Sequence, residues 1–238
     1  MSLDLNGWID GITASGVVIF GIIFGLFFIY RSKKTNAKLL AYLGLANMLA
    51  GLVFSGVFID FLFVVFTNEN IVNTRGIVAL LSYIWFAPVI ITAMYIGAEL
   101  LTPKQKKNIV LIFLIISLIF EIIIFVDPLG SFNFDPIVTT PPTPPTENLI
   151  DYNVNLMTFA GILMGVMLIT VLVFLGLGFL YKGFQSSGVI RKNFFLLSAG
   201  SICFCIFGLL EGLTEPGIMV IIVRIGFLSS FWFMYFGL

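Results

Sequence analysis

The stretch GIMVIIVRIGFLSSFWFMYFGL, residues 217–238, carries one charge, Arg224. A run this long and this apolar reads as a membrane-spanning helix. A guanidinium inside hydrocarbon costs roughly 3 kcal/mol or more unless it is paired or wetted. Arg224 therefore calls for an acid, and three lie near the same end of their own apolar runs: Asp60, Glu121 and Glu211. Counted from the nearest loop, Arg224 is about eight residues deep, roughly 12 Å of helix. Asp60 and Glu121 reach a similar level, and Glu211 is shallower. Asn47, Tyr83 and Trp85 fall at that level or somewhat deeper.

Charges within a membrane usually face a bundle interior or a water path. The expectation is an outward-opening polar pocket for a ligand or ion, built from Arg224, Asp60, Glu211, Glu121, Tyr83, Trp85 and Asn47. The alternative is a buried clamp that only fixes helix register. Either way Asp60 or Glu211 is the expected partner of Arg224, and Glu121 alternatively turns out toward lipid.

Other chemistry is limited by composition. The chain has no histidine, so zinc and haem sites built from histidines on facing helices are excluded. Cys203 and Cys205 stand two apart in an apolar run, about 200° around a helix, which suits two core residues better than a disulfide or metal clip. No nucleotide, nucleophile-elbow or metalloprotease motif stands in usable context. No enzymatic activity, cofactor or metal is expected; a hydrolase working with acids alone is the one catalytic class left. The formal net charge of zero gives no basic face for nucleic acid.

The elements that position these residues follow from hydropathy. The chain is 60% hydrophobic and 10% charged, with a mean hydropathy of +1.13, more apolar surface than a soluble domain of 238 residues can hide. Seven runs reach spanning length: 11–30, 39–66, 76–101, 109–126, 156–181, 194–213 and 216–238. The acidic start MSLDLNGWID lacks the positive region of a secretory signal, so the first run is expected to stay as a helix. Thr214, Glu215 and Pro216 make a good start for the seventh run, and Pro88 should kink the third. Glycines at Gly21, Gly25, Gly51, Gly161 and Gly165 suit close helix packing.

Basic residues set the orientation. Arg31, Lys33, Lys34 and Lys38 lie between runs one and two, Lys104, Lys106 and Lys107 between three and four, and Lys182, Arg191 and Lys192 between five and six. The other side has Arg75 and many acids. Positive residues stay inside, so the N-terminus is expected outside and the C-terminus inside. The longest loop, 127–155, then lies outside. It is read as a solvated, proline-rich connector, or alternatively as a lid using Phe132 and Phe134.

An internal repeat is expected on three matches. GLFFIYR (25–31) resembles GLGFLYK (176–182), Asp60 falls on Glu211 at the same offset, and LSYIWF (81–86) resembles LSSFWF (228–233). The layout is 3+1+3, with halves 11–101 and 156–238 in parallel orientation and linker helix 109–126. Against it, an alphabet of Leu, Ile, Phe and Gly also makes such matches by chance, and MYIG (94–97) against MYFG (234–237) gives a conflicting offset.

The seven runs, their orientation and this repeat resemble the layout of the transporter–opsin–receptor group. Its specific marks are missing: the seventh run has no lysine for retinal, and neither half opens on a Pro-Gln pair. The stretches FIDFLFVVFTNEN, SYIWFAPVIITAMYIGAELL and VRIGFLSSFWFMYFGL are similar to uncharacterised seven-helix proteins of Asgard-type archaea, a resemblance that implies no activity.

The expected fold is one all-α polytopic domain over 1–238 in the cell membrane. The expected function is a receptor-like sensor that binds a small ligand in its outer half and signals through basic inner loops to a separate partner. That partner is needed because the chain ends at the membrane without an output domain. The alternatives are a small secondary transporter for a proton-coupled or cationic solute, or a structural subunit of a membrane complex. Cysteine labelling tests the orientation: an impermeant reagent outside cells should modify a cysteine placed in 140–146 and miss one in 104–107. The opposite pattern reverses the topology.

Overall fold

A computed structural model describes residues 3–135, 148–214 and 217–237. The proline-rich middle of the long loop and the Glu215-Pro216 step lie outside the described residues. The chain is almost entirely helical. Among the described residues six helices are long and apolar enough to cross a membrane. They are α1 (Leu5–Thr35), the pair α4 (Ile77–Tyr83) and α5 (Phe86–Leu101), α6 (Lys106–Val126) with its short 3₁₀ lead, the pair α8 (Phe159–Val171) and α9 (Gly178–Gln185) joined by a π turn, α10 (Gly188–Glu211), and α11 (Ile218–Phe236). A seventh arises if α2 (Lys38–Leu52) and α3 (Ser55–Thr67), bent by 47° at their junction, count as one.

The first helix begins earlier than hydropathy suggests. Asp4 caps it, accepting from the Gly7 N–H at 2.7 Å, so the polar start is already helical. Asp10, one residue before the first apolar run at 11–30, is thereby carried into the helix. The buried face of α1 runs through Gly7, Asp10, Ala14, Val17, Gly21, Phe24 and Phe28 at helical spacing. At the other end Asn36 closes α1 in the left-handed region, its N–H bonding the Ser32 carbonyl.

The third run breaks as Pro88 requires. The ring removes the N–H that would bond the Ile84 carbonyl, and the turn at Ile84-Trp85 lies one helical turn before it. The break in the second run, at Val53-Phe54, has no proline; Ser55 and Gly56 there are bound to α4 instead. Ser55 Oγ donates to the Leu81 carbonyl at 2.7 Å, and the Gly56 N–H donates to Ser82 Oγ at 2.8 Å.

The basic connections, 31–38, 102–107 and 182–193, gather at one end, where Lys106 pairs with Glu99 at 2.7 Å. At the other end the two described ends of the 127–155 connection pack against the bundle, while its proline-rich middle, read as a solvated connector, lies outside the described residues. A short helix α7 (Pro128–Ser131) leads into strand β1 (Phe132–Asp135), which pairs antiparallel with β2 (Asp151–Val154). The register sets Phe132 against Val154 and Phe134 against Tyr152, so these four share one face. Phe132 and Val154 are buried, and the Phe132 ring lies 4.8 Å from that of Tyr83. The hairpin also qualifies the all-α expectation, since its register is fixed by this apolar face.

Tight helix contact is concentrated between α1 and α2. A Cβ on Gly21 would lie 2.7 Å from the Gly51 Cα, so these backbones touch directly. Gly165, expected to pack the same way, has open space beside it, and Gly161 abuts the backbone of Asn155 and Leu156. Helix α6 buries only a narrow stripe, Phe113, Ser117, Phe120 and Ile124, and exposes large aliphatics elsewhere, as a lipid-facing helix would. The glycine contacts set a test. Gly21→Ala should destabilise the detergent-purified protein by about 1–3 kcal/mol, as overpacking does. Gly165→Ala should be neutral or gain up to about 1 kcal/mol of helix propensity. Thermal unfolding midpoints distinguish the two, and equal effects would contradict the α1–α2 contact.

Candidate functional site

Helix α11 buries Val220, Val223, Arg224, Phe227 and Phe231 along one face, so Arg224 points into the bundle and is 3% exposed. Its guanidinium joins three helices. Nη1 meets Asp10 Oδ1 of α1 at 2.6 Å and donates to the Asp10 carbonyl at 2.7 Å and to Thr13 Oγ1 at 2.9 Å. Nη2 and Nε both donate to Glu211 Oε1 of α10, at 2.7 and 2.9 Å. The guanidinium carbon lies 5.5 Å from the centre of the Phe54 ring, a cation–π contact. Because one glutamate oxygen takes both bonds, Glu211 Oε2 is left buried with no hydrogen-bond partner among the described residues.

Beside this cluster is a cavity of about 80 Å³. Its walls are mostly aromatic and aliphatic, with Asp10, Glu211, Asp151, Asn153, Thr214 and Arg224 as polar points. Asp151 reaches it from the hairpin. Burial first, and then the negative charge of Asp10, push the Asp151 carboxyl up to about 7, so its charge changes near neutral pH. Tyr152 beside it lies against the Tyr83 ring and donates a short hydrogen bond from its hydroxyl to Ser82 Oγ, tying the hairpin to α4.

Of the residues expected to form one pocket, Arg224, Glu211 and Tyr83 line the cavity. The other four lie elsewhere. Asp60, the second expected partner of Arg224, instead holds two loops. It is fully buried, accepting the Ile71 N–H at 2.8 Å, the Ile150 N–H at 3.0 Å and Asn70 Nδ2 at 3.1 Å. A carboxylate collecting backbone N–H groups from both segments is a loop anchor. Glu121, on α6, has both carboxylate oxygens buried and without a hydrogen bond among the described residues. It neither joins the cavity nor turns freely to lipid. Trp85 is half-buried at the α4–α5 break, and Asn47 is buried on α2 facing α1.

Sequence reasoning missed Asp10, Thr13, Asp151 and Tyr152. Asp10 had a signal: extending the small-residue stripe of α1 upstream from Gly21 through Val17 and Ala14 lands on it. Asp151 and Tyr152 had none, because only the long-range strand pairing brings them over the cavity.

The chain matches no family model, no curated protein and no solved structure. Fold and site define a membrane-embedded helical protein with a buried, charged cavity near one end of the bundle.

The geometry sets a coupling test. Arg224→Leu alone strands the buried Asp10 and the partly buried Glu211 and should cost about 3–5 kcal/mol. Combined with Glu211→Gln or with Asp10→Asn, part of that loss should be recovered, a coupling of about 0.5–3 kcal/mol. Combined with Asp60→Asn, the losses should simply add. Additivity with all three acids, measured by denaturation in detergent, would mean the clamp carries no energy.

Proposed function

We propose that this chain is a seven-span membrane protein, α2 and α3 forming one broken span, with its N-terminus outside and its C-terminus inside. In this reading it is a receptor-like sensor of the cell membrane. A small ligand occupies the cavity beside Arg224 from the outer side, and the effect passes to a separate partner at the basic inner loops. The observation that carries the reading is the one-sided cavity. Its lining reaches down to Val89, Leu168 and Phe227. Beyond these, Ile90, Met94, Val171 and Phe231 are completely buried and pack the helices together. A ligand bound above such a floor can bias the packing beneath it without passing through, as a two-state sensor requires.

Transport is the second reading, and one observation favours it. Val53 and Phe54, where α2 and α3 bend apart, both line the cavity, and broken helices at a binding site are the mark of secondary transporters. The 3+1+3 duplication belongs to this proposal as well. It is supported by two like crossings: Gly25 of α1 lies against Met48 of α2, and Gly176 lies against Ile202 of α10. The breaks do not follow the duplication, since α10 and α11 are continuous where their counterparts are interrupted. The layout resemblance to the transporter–opsin–receptor group has the same standing, and the resemblance to Asgard-type archaeal proteins adds no activity.

Proteoliposome flux separates the readings. The sensor predicts no uptake of organic cations, amino acids or sugars under imposed proton or sodium gradients, together with a rise in thermal midpoint on adding a bound compound. Gradient-driven uptake lost in Glu211→Gln would establish transport. Asp60→Asn is a poor probe, because Asp60 holds loops together.

A further inference from the structure

Among the described residues the charges around the cavity do not balance. Asp10, Asp151 and Glu211 face it, against the single guanidinium of Arg224. Arg75, near the same end, is exposed. An excess of buried carboxylate is costly unless something positive offsets it. Glu211 Oε2 is buried with no hydrogen-bond partner among the described residues, and Asp151 is met by neighbours of its own strand, the Tyr152 backbone N–H and, at 3.5 Å, Asn153 Nδ2. The cavity therefore presents carboxylate oxygens in excess of its one cationic group.

Arg224 gives an anion little to hold. All three guanidinium nitrogens are bonded to protein oxygens of Asp10, Thr13 and Glu211. A ligand carboxylate would have to displace these while sitting beside Asp10 and Glu211 themselves. The described residues contain no cluster of three acids, cysteines or histidines close enough to close a shell around a metal ion. What remains is a soft, partly apolar cation. The walls suit one: Phe54, Phe86, Phe204 and Phe227 line the cavity with Tyr83 and Tyr152. Rings stand 5.0 Å apart at Phe204–Phe227 and 5.1 Å at Phe54–Phe227. Aromatic faces around acidic points attract an ammonium group and the flat body attached to it.

We propose that the cavity binds a small organic monocation, an amine on a flat apolar body, with its ammonium group facing Glu211 and Asp151 and its body among the aromatic side chains. This rests on the ligand-binding reading above and names the ligand's chemistry. The ammonium supplies a donor to the unpartnered Glu211 Oε2 and a counter-charge to Asp151, and brings the net charge of the site toward zero. The arriving positive charge also favours ionised Asp151, whose carboxyl stands near 7 without it. Affinity should therefore weaken as pH falls through that value, while Asp10, Glu211, Arg224 and Tyr83 complete the charged and titratable surroundings.

Three probes of matched size test the idea on the full chain in nanodiscs: 2-phenylethylamine, phenylacetate and 2-phenylethanol, by calorimetry at pH 8 and pH 5.5. The amine should bind at least about tenfold more tightly than the other two at pH 8 and lose affinity at pH 5.5. Asp151 makes no hydrogen bond to Arg224, so Asp151→Asn leaves the contacts of the clamp in place and should fold. It should weaken amine binding by about tenfold and remove the pH dependence, with 2-phenylethanol unaffected. Glu211→Gln is the second variant, compared at a temperature where its thermal midpoint shows it folded. If phenylacetate or 2-phenylethanol binds as tightly as the amine, the cavity binds ligands but the cation assignment is wrong. If none of the three binds, the cation assignment falls and the ligand-binding reading falls with it. Amine binding unchanged in Asp151→Asn would also overturn the placement.

Discussion

A guanidinium buried among apolar helices is tolerated only when its hydrogen bonds are met, and the rest of this structure is arranged around meeting those of Arg224. Asp10 and Thr13 come from α1, Glu211 from α10, and Arg224 from α11. Three helices distant in the chain are thereby held in one register at one end of the bundle. Hydrophobic packing alone sets that register weakly, because one apolar side chain slides past another at little cost. A forked charge-assisted contact has direction and length, and a shift of one residue breaks it. The cluster thus fixes the helix ends, and the cavity beside it follows from where those ends are held.

The second organising element is Asp60. It lies near the same end of the bundle, and it collects N–H donors from two loops that are otherwise unrelated. By fixing Ile150 it places the start of β2, and hence Asp151 and Tyr152, over the cavity. The two anchors divide the labour: Arg224 orders helices, Asp60 orders the cap. Tyr152 connects them through Ser82, whose Oγ also receives the Gly56 N–H at the start of α3. A displacement of the hairpin would be felt at the α2–α3 bend, whose residues line the same cavity. This gives a physical route by which occupancy of the cavity could reach a helix break.

Apolar run lengths in the sequence marked every long helix, and depth along the helices narrowed the partner of Arg224 to Asp60 or Glu211 without choosing between them. The boundaries were less legible. Hydropathy starts the first helix at residue 11, whereas the Asp4 cap starts it at Leu5, and that difference is what concealed Asp10. The loop 127–155 read as a connector because its prolines dominate its composition; the alternation Phe132, Phe134 and Tyr152, Val154 at its two ends was the weaker signal. Treating Asp60 and Glu211 as equivalent acids failed for a different reason. Depth along a helix says nothing about which face an acid occupies or which loop folds back to meet it.

The sequence by itself determined the class: long uncharged runs must leave water, and one arginine within such a run must find an acid. Those are consequences of transfer free energy, which depends on composition and length. Only the tertiary structure decided which carboxylates share the guanidinium, which one anchors loops instead, and which hairpin residues close over the site. Those outcomes depend on helix rotation and on contacts such as Asp60 to Ile150, ninety positions apart in the chain. No local pattern encodes such a contact, because directional hydrogen bonds are selected only once packing has brought the partners within reach.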